Sequence, residues 1–561
     1  MLLTGCVYDK YSPDFCPQEG KSYYLSFVLQ SPGEAANTKA TDGEEIISGD
    51  KWSEQLVSKV DLYFYDGYGR FLGKESPAAF NQTPTESPAN DPITNQVGDF
   101  TVELNYRPYR LLVALNMDAD FSNKTIDEAR SMMQSKETRW CGATTTVMGK
   151  TVTPFYMTSA TYLNAGGMEV CDVDIPEASV WDTEIKASNN PMSLYIDRLA
   201  SRVSVRSTKT EFRVPLVTPQ DNVRAKVTLL GWGLNARNRS SYYFKKVNPA
   251  WTYKWSDTDW NNPAKFRSHW AQDANYTASE NTGLELAQQK ISPLDADAFA
   301  YVMPGSLTKD FTDDMDYCLE NTADEGVLPV TDSDAATLYS RVTHVLVKAQ
   351  LSFELASGTD DAGYTTESDF FRYKGVFYTK KSLLDALRAD AGLTVVDNDD
   401  LELVSAAGQS YCKGYEKGER VAVRQISTDT ILDLQESGAP VRIEGFKDGV
   451  FYYKIPIEHI NNADVTGTEY PIGRYGVVRN HTYEISLNSE VNGIGTGIWD
   501  DEYDIRPFRR AEDYLLSAYV KVSPWKQFET RFYFVDPSGM VVTAGQRVEH
   551  WEGDENNGEY E

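Results

Sequence analysis

Along residues 23–30, Tyr23, Leu25, Phe27 and Leu29 alternate with Tyr24, Ser26, Val28 and Gln30, a period of two that predicts a strand with one apolar face. A polar stretch rich in Gly, Ala, Asn and Thr follows from Ser31 to Gly49 and reads as an exposed, protease-accessible linker containing Lys39-Ala40. Val60–Tyr65 is a second strand, closed by the turn Asp66-Gly67. Leu111–Leu115 is a near-continuous apolar run ending at Asn116, which predicts a buried strand. Between these two strands, residues 75–98 are rich in Pro, Asn, Ser and Thr and read as a long surface loop.

Helical spacing is rare. Ile126–Gln134, with Asp127 and Glu128 in its first turn, predicts one short helix, and Lys380–Arg388 (KKSLLDALR) another. From Ser193 onward strand patterns dominate, at Leu199–Val205, Ala225–Gly231, Val342–Leu355, Val450–Ile457 and Tyr483–Leu487. Near the end, Leu516, Ala518, Val520 and Val522 alternate with Ser517, Tyr519, Lys521 and Ser523, and Pro524-Trp525 closes the run. A charged linker, Asp500–Asp513, precedes that strand, Arg531–Val535 is a further strand-like run, and Glu552–Glu561 is an acidic tail. Alternating βαβ units are absent, so the expectation is an all-β chain of β-sandwiches with long decorated loops and a few short helices.

Composition supports this reading. A chain of 561 residues with 41% apolar content builds more than one core, and the 34 Tyr favour half-buried pleated surfaces. Formal charge is 54 − 83 = −29, which repels phosphate backbones and disfavours nucleic-acid binding. The six cysteines, Cys6, Cys16, Cys141, Cys171, Cys318 and Cys412, show no CxxC spacing, and the chain is not a disulfide scaffold; a bridge such as Cys141–Cys171 is one open pairing.

Leu3-Thr4-Gly5-Cys6 has the form of a bacterial lipoprotein acceptor site, in which the Cys6 thiol takes the lipid and polar residues beyond form a tether. Only Met1 and Leu2 precede it, and the expectation is that the remainder of a signal peptide lies upstream of the assigned start. No run of 18 apolar residues occurs, so lipid would be the only membrane attachment.

Catalytic motifs do not emerge. His269, His344, His459, His481 and His550 are scattered and read as structural, and neither GxSxG nor a P-loop is present. Gly493, Gly495 and Gly497 read as a flexible turn, and Asp332–Asp334 and Asp397–Asp400 as solvated acidic turns rather than calcium loops. The expectation is a chain that is not an enzyme and that needs no metal or cofactor.

The order of these segments resembles the type V pilus fimbrillins, stalk subunits of outer-membrane fimbriae. The resemblance is carried by Lys21–Gln30 with Lys39-Ala40, Leu111–Asp118 (LLVALNMD), Asp197–Val205 (DRLASRVSV) and Val227–Lys246 (VTLLGWGLNARNRSSYYFKK). It continues through Val345–Phe353, Val478–Leu487 and Tyr519–Trp525 (YVKVSPW). The large minor-fimbria stalk subunits resemble it most, and Cys6 with Cys16-Pro17 is similar to the family's anchor subunits.

The resemblance implies two transthyretin-like, Greek-key sandwich domains. The organisation it suggests is a leader with a removable strand at 1–40, domains at 41–192 and 193–499, and a linker, candidate donor strand and tail at 500–561. It implies an outer-membrane lipoprotein precursor lipidated at Cys6 and cut after Lys39, so that the mature chain starts at Ala40. Donor strand Leu516, Ala518, Val520 and Val522, with Trp525, would then fill the groove left by Tyr23–Leu29 in the next subunit of an extracellular, adhesive fimbrium. Implied partners are neighbouring fimbrial subunits, a maturation protease and a surface receptor or glycan. Two departures stand out: the family's cut usually follows Arg rather than Lys, and residues 526–561 follow Trp525. Those residues bring in tip or anchor roles. The residues also leave room for a glycan-binding surface lipoprotein, with Trp251, Trp255 and Trp260 stacking on sugars.

Overall fold

The computed structural model describes residues 21–30, 33–35, 54, 56–77, 100–133, 140–142, 144–147, 150–214, 223–247, 265–266, 270–277, 292–293, 299–322, 342–355, 369–373, 375–379, 382, 397–406, 409–416, 419–427, 434–436, 439–441, 443–459, 475–491, 493–497, 516–524, 532–535 and 541–544.

Strands form wherever the alternation is strong, and the larger of their sheets are one eight-stranded sheet and a two-sheet sandwich, with smaller two- and three-stranded sheets beside them. The large sheet contains β1 (Tyr23–Gln30), β2 (Val60–Tyr65), β3 (Phe71–Glu75), β4 (Phe100–Leu104), β5 (Arg110–Leu115), β6 (Met157–Ser159), β7 (Val173–Asp174) and β8 (Met192–Arg198). Its order is β3-β2-β5-β6-β8-β1-β4, with β7 paired to β5. Leu62, Phe64, Leu111, Val113 and Leu115 face one core with Leu25, Phe27 and Leu29. Tyr63, Tyr65, Leu112 and Ala114 face another, closed by Phe121, Leu199 and Phe244. Burial on both faces explains the unbroken apolar run of β5, because neither side of that strand meets water.

The sandwich follows. One sheet has the order β12-β9-β15-β17, from β9 (Ala200–Arg206), β12 (Met315–Leu319), β15 (His481–Val491) and β17 (Leu516–Pro524). The other has the order β10-β11-β13-β14-β16, from β10 (Glu211–Val214), β11 (Val223–Asn235), β13 (His344–Leu355), β14 (Val450–Pro456) and β16 (Thr496–Gly497). Val203, Val205, Tyr483 and Ile485 of the first meet Trp232, Val345, Val347 and Phe451 of the second in a single core. After β17 comes an antiparallel hairpin of β18 (Phe532–Val535) and β19 (Val541–Ala544).

Among the described residues, helix is confined to short pieces. In α1 (Ile126–Ser131) the Thr125 hydroxyl accepts from the Glu128 N–H and the Glu128 carboxylate accepts from the Thr125 N–H, a reciprocal cap, and the helix ends three residues before the predicted Gln134. The helix predicted over Lys380–Arg388 lies outside the described residues apart from Ser382.

Two sequence expectations are corrected. Asp397–Asp400 open a strand, Asp397–Ala406, rather than forming a turn. Gly495 and Gly497 are close-packing positions: a Cβ there would run into the backbone carbonyls of Tyr452 and Gly445. Residues 193–198 lie within β8 of the large sheet, where β8 pairs with β1 and β6.

Candidate functional site

β1 is not an edge strand. Its residues Phe27–Gln30 run parallel to Met192–Tyr195 of β8, and Tyr23–Phe27 run antiparallel to Phe100–Leu104 of β4. The backbone of Tyr24 also exchanges two hydrogen bonds with Trp181, at 2.9 and 3.0 Å. Leu25, Phe27 and Leu29 have no exposed surface, and Val28 on the opposite face is 3% exposed. The short helix α2 (Glu184–Ser188) packs against β1 and β4. The slot that holds β1 therefore has a hydrogen-bonding wall on each side, an apolar floor of Phe64, Phe100, Val102, Leu194 and Ile196, and a partial cover. Each of the four apolar side chains of β1 contributes roughly 1.5–3 kcal/mol by leaving water.

β17 is the second component. It lies antiparallel to β15 of its own chain, in register from His481–Pro524 to Leu487–Ala518, and forms the outer strand of its sheet. Leu516 is buried in the sandwich core, while Ala518 and Val520 are half-buried against the same core. Val522 stands opposite Tyr483 in the ladder. Cys6, Lys39, Ala40 and Trp525 lie outside the described residues, as do Trp251, Trp255 and Trp260.

Between slot and sandwich is a buried ionic junction that sequence reading missed. Arg198, the last residue of β8, donates from Nε and Nη2 to the Glu54 carbonyl oxygen at 3.0 and 2.7 Å. Arg202 on β9 donates to Glu54 Oε2 at 3.1 Å, and the Tyr317 hydroxyl on β12 donates to Oε1 at 2.5 Å. Burial pushes the Arg198 guanidinium down to about 9, opposed by Glu54, and burial with Glu54 raises the Tyr317 phenol.

A second polar knot staples the 241–247 segment to both parts of the fold. Arg479 donates to the Tyr243 and Tyr242 carbonyls at 3.0 and 2.7 Å and pairs with Glu320. The Thr161 hydroxyl donates to the Lys245 carbonyl at 3.0 Å, and the Val247 N–H donates to Glu169 at 2.7 Å. Nearby, Asp273 accepts from Asn275, Asn238 and Thr322, and burial raises its carboxyl to about 6.

Histidines serve packing. His344 and His481 are buried, with Nδ1 bonded to the Val342 and Arg479 carbonyls, and burial holds both well below the usual imidazole range. Among the described residues, no group of three His, Cys, Asp or Glu converges as a metal site. Cys141 and Cys171 are not joined in a disulfide, so the open pairing between them is not formed here. No described helix is long and apolar enough to cross a membrane.

Comparison with known proteins adds identity to this geometry. Residues 444–530 match the family model for the major fimbrial subunit protein type IV, fimbrillin, C-terminal region. That stretch contains β14, β15, β16 and β17. No curated protein matches the chain. Among solved structures, a proposed cell adhesion protein from Parabacteroides distasonis has 10% identity and a TM-score of 0.35, covering 90% of this chain and 96% of that one. A fimbrilin from Porphyromonas gingivalis has 12% identity and a TM-score of 0.33, covering 90% and 98%. The C-terminally truncated tip fimbrial protein of Porphyromonas gingivalis has 9% identity and a TM-score of 0.30, covering 90% and 100%. These structural likenesses are distant, and identity rests on the sequence match over 444–530. Over that region the chain is similar to the fimbrillins, a family of structural rather than enzymatic proteins.

Proposed function

We propose that this fimbrial subunit polymerises by strand replacement. The observation that carries the reading is the placement of β1, a buried interior strand joined to the chain through the segment that contains Lys39-Ala40. In this scheme the precursor is exported as an outer-membrane lipoprotein on Cys6, and a protease cuts after Lys39. Loss of β1 leaves two unpaired strand edges, on β8 and β4, and uncovers the apolar floor between them. Such an edge recruits a strand from another chain. Strand β17 of a neighbour, with Leu516, Ala518, Val520 and Val522 on one face, supplies it. A head-to-tail contact of this kind does not close and builds a filament. Adhesion is the output, through a receptor or glycan on a partner surface. Two domains divided near Leu199 and a donor segment beginning near 500 complete the proposed organisation.

Limited trypsin treatment of the full chain tests this. Ladders resistant to mild SDS are expected after cleavage, and none when residues 515–561 are deleted. A cleaved chain that stays monomeric at high concentration overturns the reading. The hairpin β18–β19 beyond β17 favours a second placement, at the tip or base of the fimbria, where a donor strand need not be free. Mass spectrometry of the cell-derived N-terminus separates the two: Ala40 fits a polymerising subunit, and lipidated Cys6 an anchor.

A further inference from the structure

The junction at Glu54 adds a step to that scheme and rests on it. Glu54 comes after the segment that holds Lys39-Ala40, so it stays with the mature chain when β1 leaves. It is 1% exposed, and Arg198 and Arg202 are 0% and 2% exposed. Its carbonyl and both carboxylate oxygens are taken up by three strands: β8 through Arg198, β9 through Arg202 and β12 through Tyr317. β8 is the wall of the β1 slot, while β9 and β12 belong to the sandwich. A short way on, the Asn116 side chain holds the Leu56 carbonyl and the Ser58 and Lys59 N–H groups, so residues 54–59 are fixed at two points. None of these bonds is made to a residue of β1.

We propose that Glu54 is a latch: it retains the mature N-terminal segment and holds β8 in its slot-wall position during the interval when β1 has gone and no donor has arrived. In the precursor β8 is held by the ladder from β6, by Asn480 at Asp197 and Arg198, by the parallel ladder from β1 and by the junction at Glu54. Excision removes the ladder along Met192–Tyr195, so the junction at Glu54 carries a larger share of what holds β8 in place. Charge-assisted bonds to a buried carboxylate are strong, and removing the carboxylate leaves buried guanidinium groups without it. Weakening the latch therefore harms the cleaved chain far more than the precursor. Glu54 is a positioning residue, acting on the incoming strand through β8.

The test compares wild type, Glu54→Gln and Tyr317→Phe as full chains, before and after limited trypsin with the cut checked by mass spectrometry. Hydrogen exchange across 192–198 and binding of a synthetic peptide of residues 514–526 are measured. Before cleavage, both variants are expected to exchange at β8 within about twofold of wild type; after cleavage, exchange rises and peptide affinity falls by about tenfold or more. Equal losses before and after cleavage would mean that Glu54 only stabilises the fold, and would overturn the latch. No loss in either state would overturn it as well. If cleaved wild type fails to bind the peptide, strand replacement falls, while the exchange comparison still decides the latch. Should Glu54→Gln not fold, Tyr317→Phe, which removes only the hydroxyl at Oε1, carries the same comparison.

Discussion

Phe27 and Phe100 stand directly opposite one another across β1 and β4, their ring centroids 5.7 Å apart and their planes tilted by 40°. This pair joins the strand proposed to leave to the outer strand it would leave behind. Phe27→Ala in the full chain should lower stability by about 3–5 kcal/mol, the usual cost of emptying a buried aromatic site. A double-mutant cycle with Phe100→Ala should return a coupling of about 0.5–1.5 kcal/mol for the ring pair beyond area burial. Urea denaturation measures both, and a loss under about 1 kcal/mol for Phe27→Ala would mean the slot barely needs β1.

The proposed donor strand has a face that can be tested apart from the fold. Val520 is only half-buried on its own core, whereas in a neighbour's slot it would meet the apolar floor under β1. Val520→Asp should leave a cooperatively unfolding monomer, weakened by about 1–3 kcal/mol, yet abolish SDS-resistant ladders after cleavage. Ladders at wild-type yield from this variant would show that β17 is not the inserted strand.

Asn116 ends β5 with a φ of 61°, in the left-handed region. Its Oδ1 accepts from the Ser58 N–H at 2.7 Å, and its Nδ2 donates to the Leu56 and Phe155 carbonyls, both at 2.8 Å. Asn116→Ala should cost about 2–4 kcal/mol, combining backbone strain with lost buried bonds. Asn116→Gly loses the same bonds without the strain and should be milder by about 1 kcal/mol. Identical thermal midpoints for the two variants would place the whole effect in the side-chain bonds.

Stability should fall as the medium is acidified below about pH 6.5, the unfolded imidazole value. His344 and His481 are held neutral by burial, so below that pH the unfolded chain takes up protons that the folded chain does not. Each contributes a loss of up to roughly 1.4 kcal/mol per pH unit. Asp273 opposes them: with its folded carboxyl raised to about 6, its contribution to stability falls as pH rises from about 4 to 6. His481→Asn, which keeps a donor toward the Arg479 carbonyl, should flatten the slope of urea midpoints between about pH 6.5 and 5. An unchanged slope would remove His481 from the account.

Much of the fold was legible because its strands carry local patterns: β1 and β17 begin and end close to where period-two alternation does, and β2 and β5 close to the bounds of their apolar runs. The short helix from Ile126 was likewise legible from Asp127 and Glu128 in its first turn, although the reciprocal cap between Thr125 and Glu128 was not read. What escaped was long-range. Nothing in the neighbourhood of Glu54 marks it as the partner of Arg198, 144 residues away, and a lone carboxylate among 83 acidic residues carries no pattern. The parallel pairing of β1 with β8 was hidden for the same reason, and with it the true end of the large sheet at Arg198. Gly495 and Gly497 misled because the sequence shows a missing side chain but not the carbonyl that forbids one.

The single residue Leu199 between β8 and β9 gives the molecule a mechanical axis. β8 borders the slot of β1, β9 continues it into the sandwich, and β15 lies parallel beside β9 and carries β17 on its other edge. In a fibre joined through the slot, tension entering at an inserted strand would pass to β8 by hydrogen bonds, to β9 through the covalent chain, and onward along β15. Those ladders would be loaded along their length, so that their bonds resist together rather than peeling one by one.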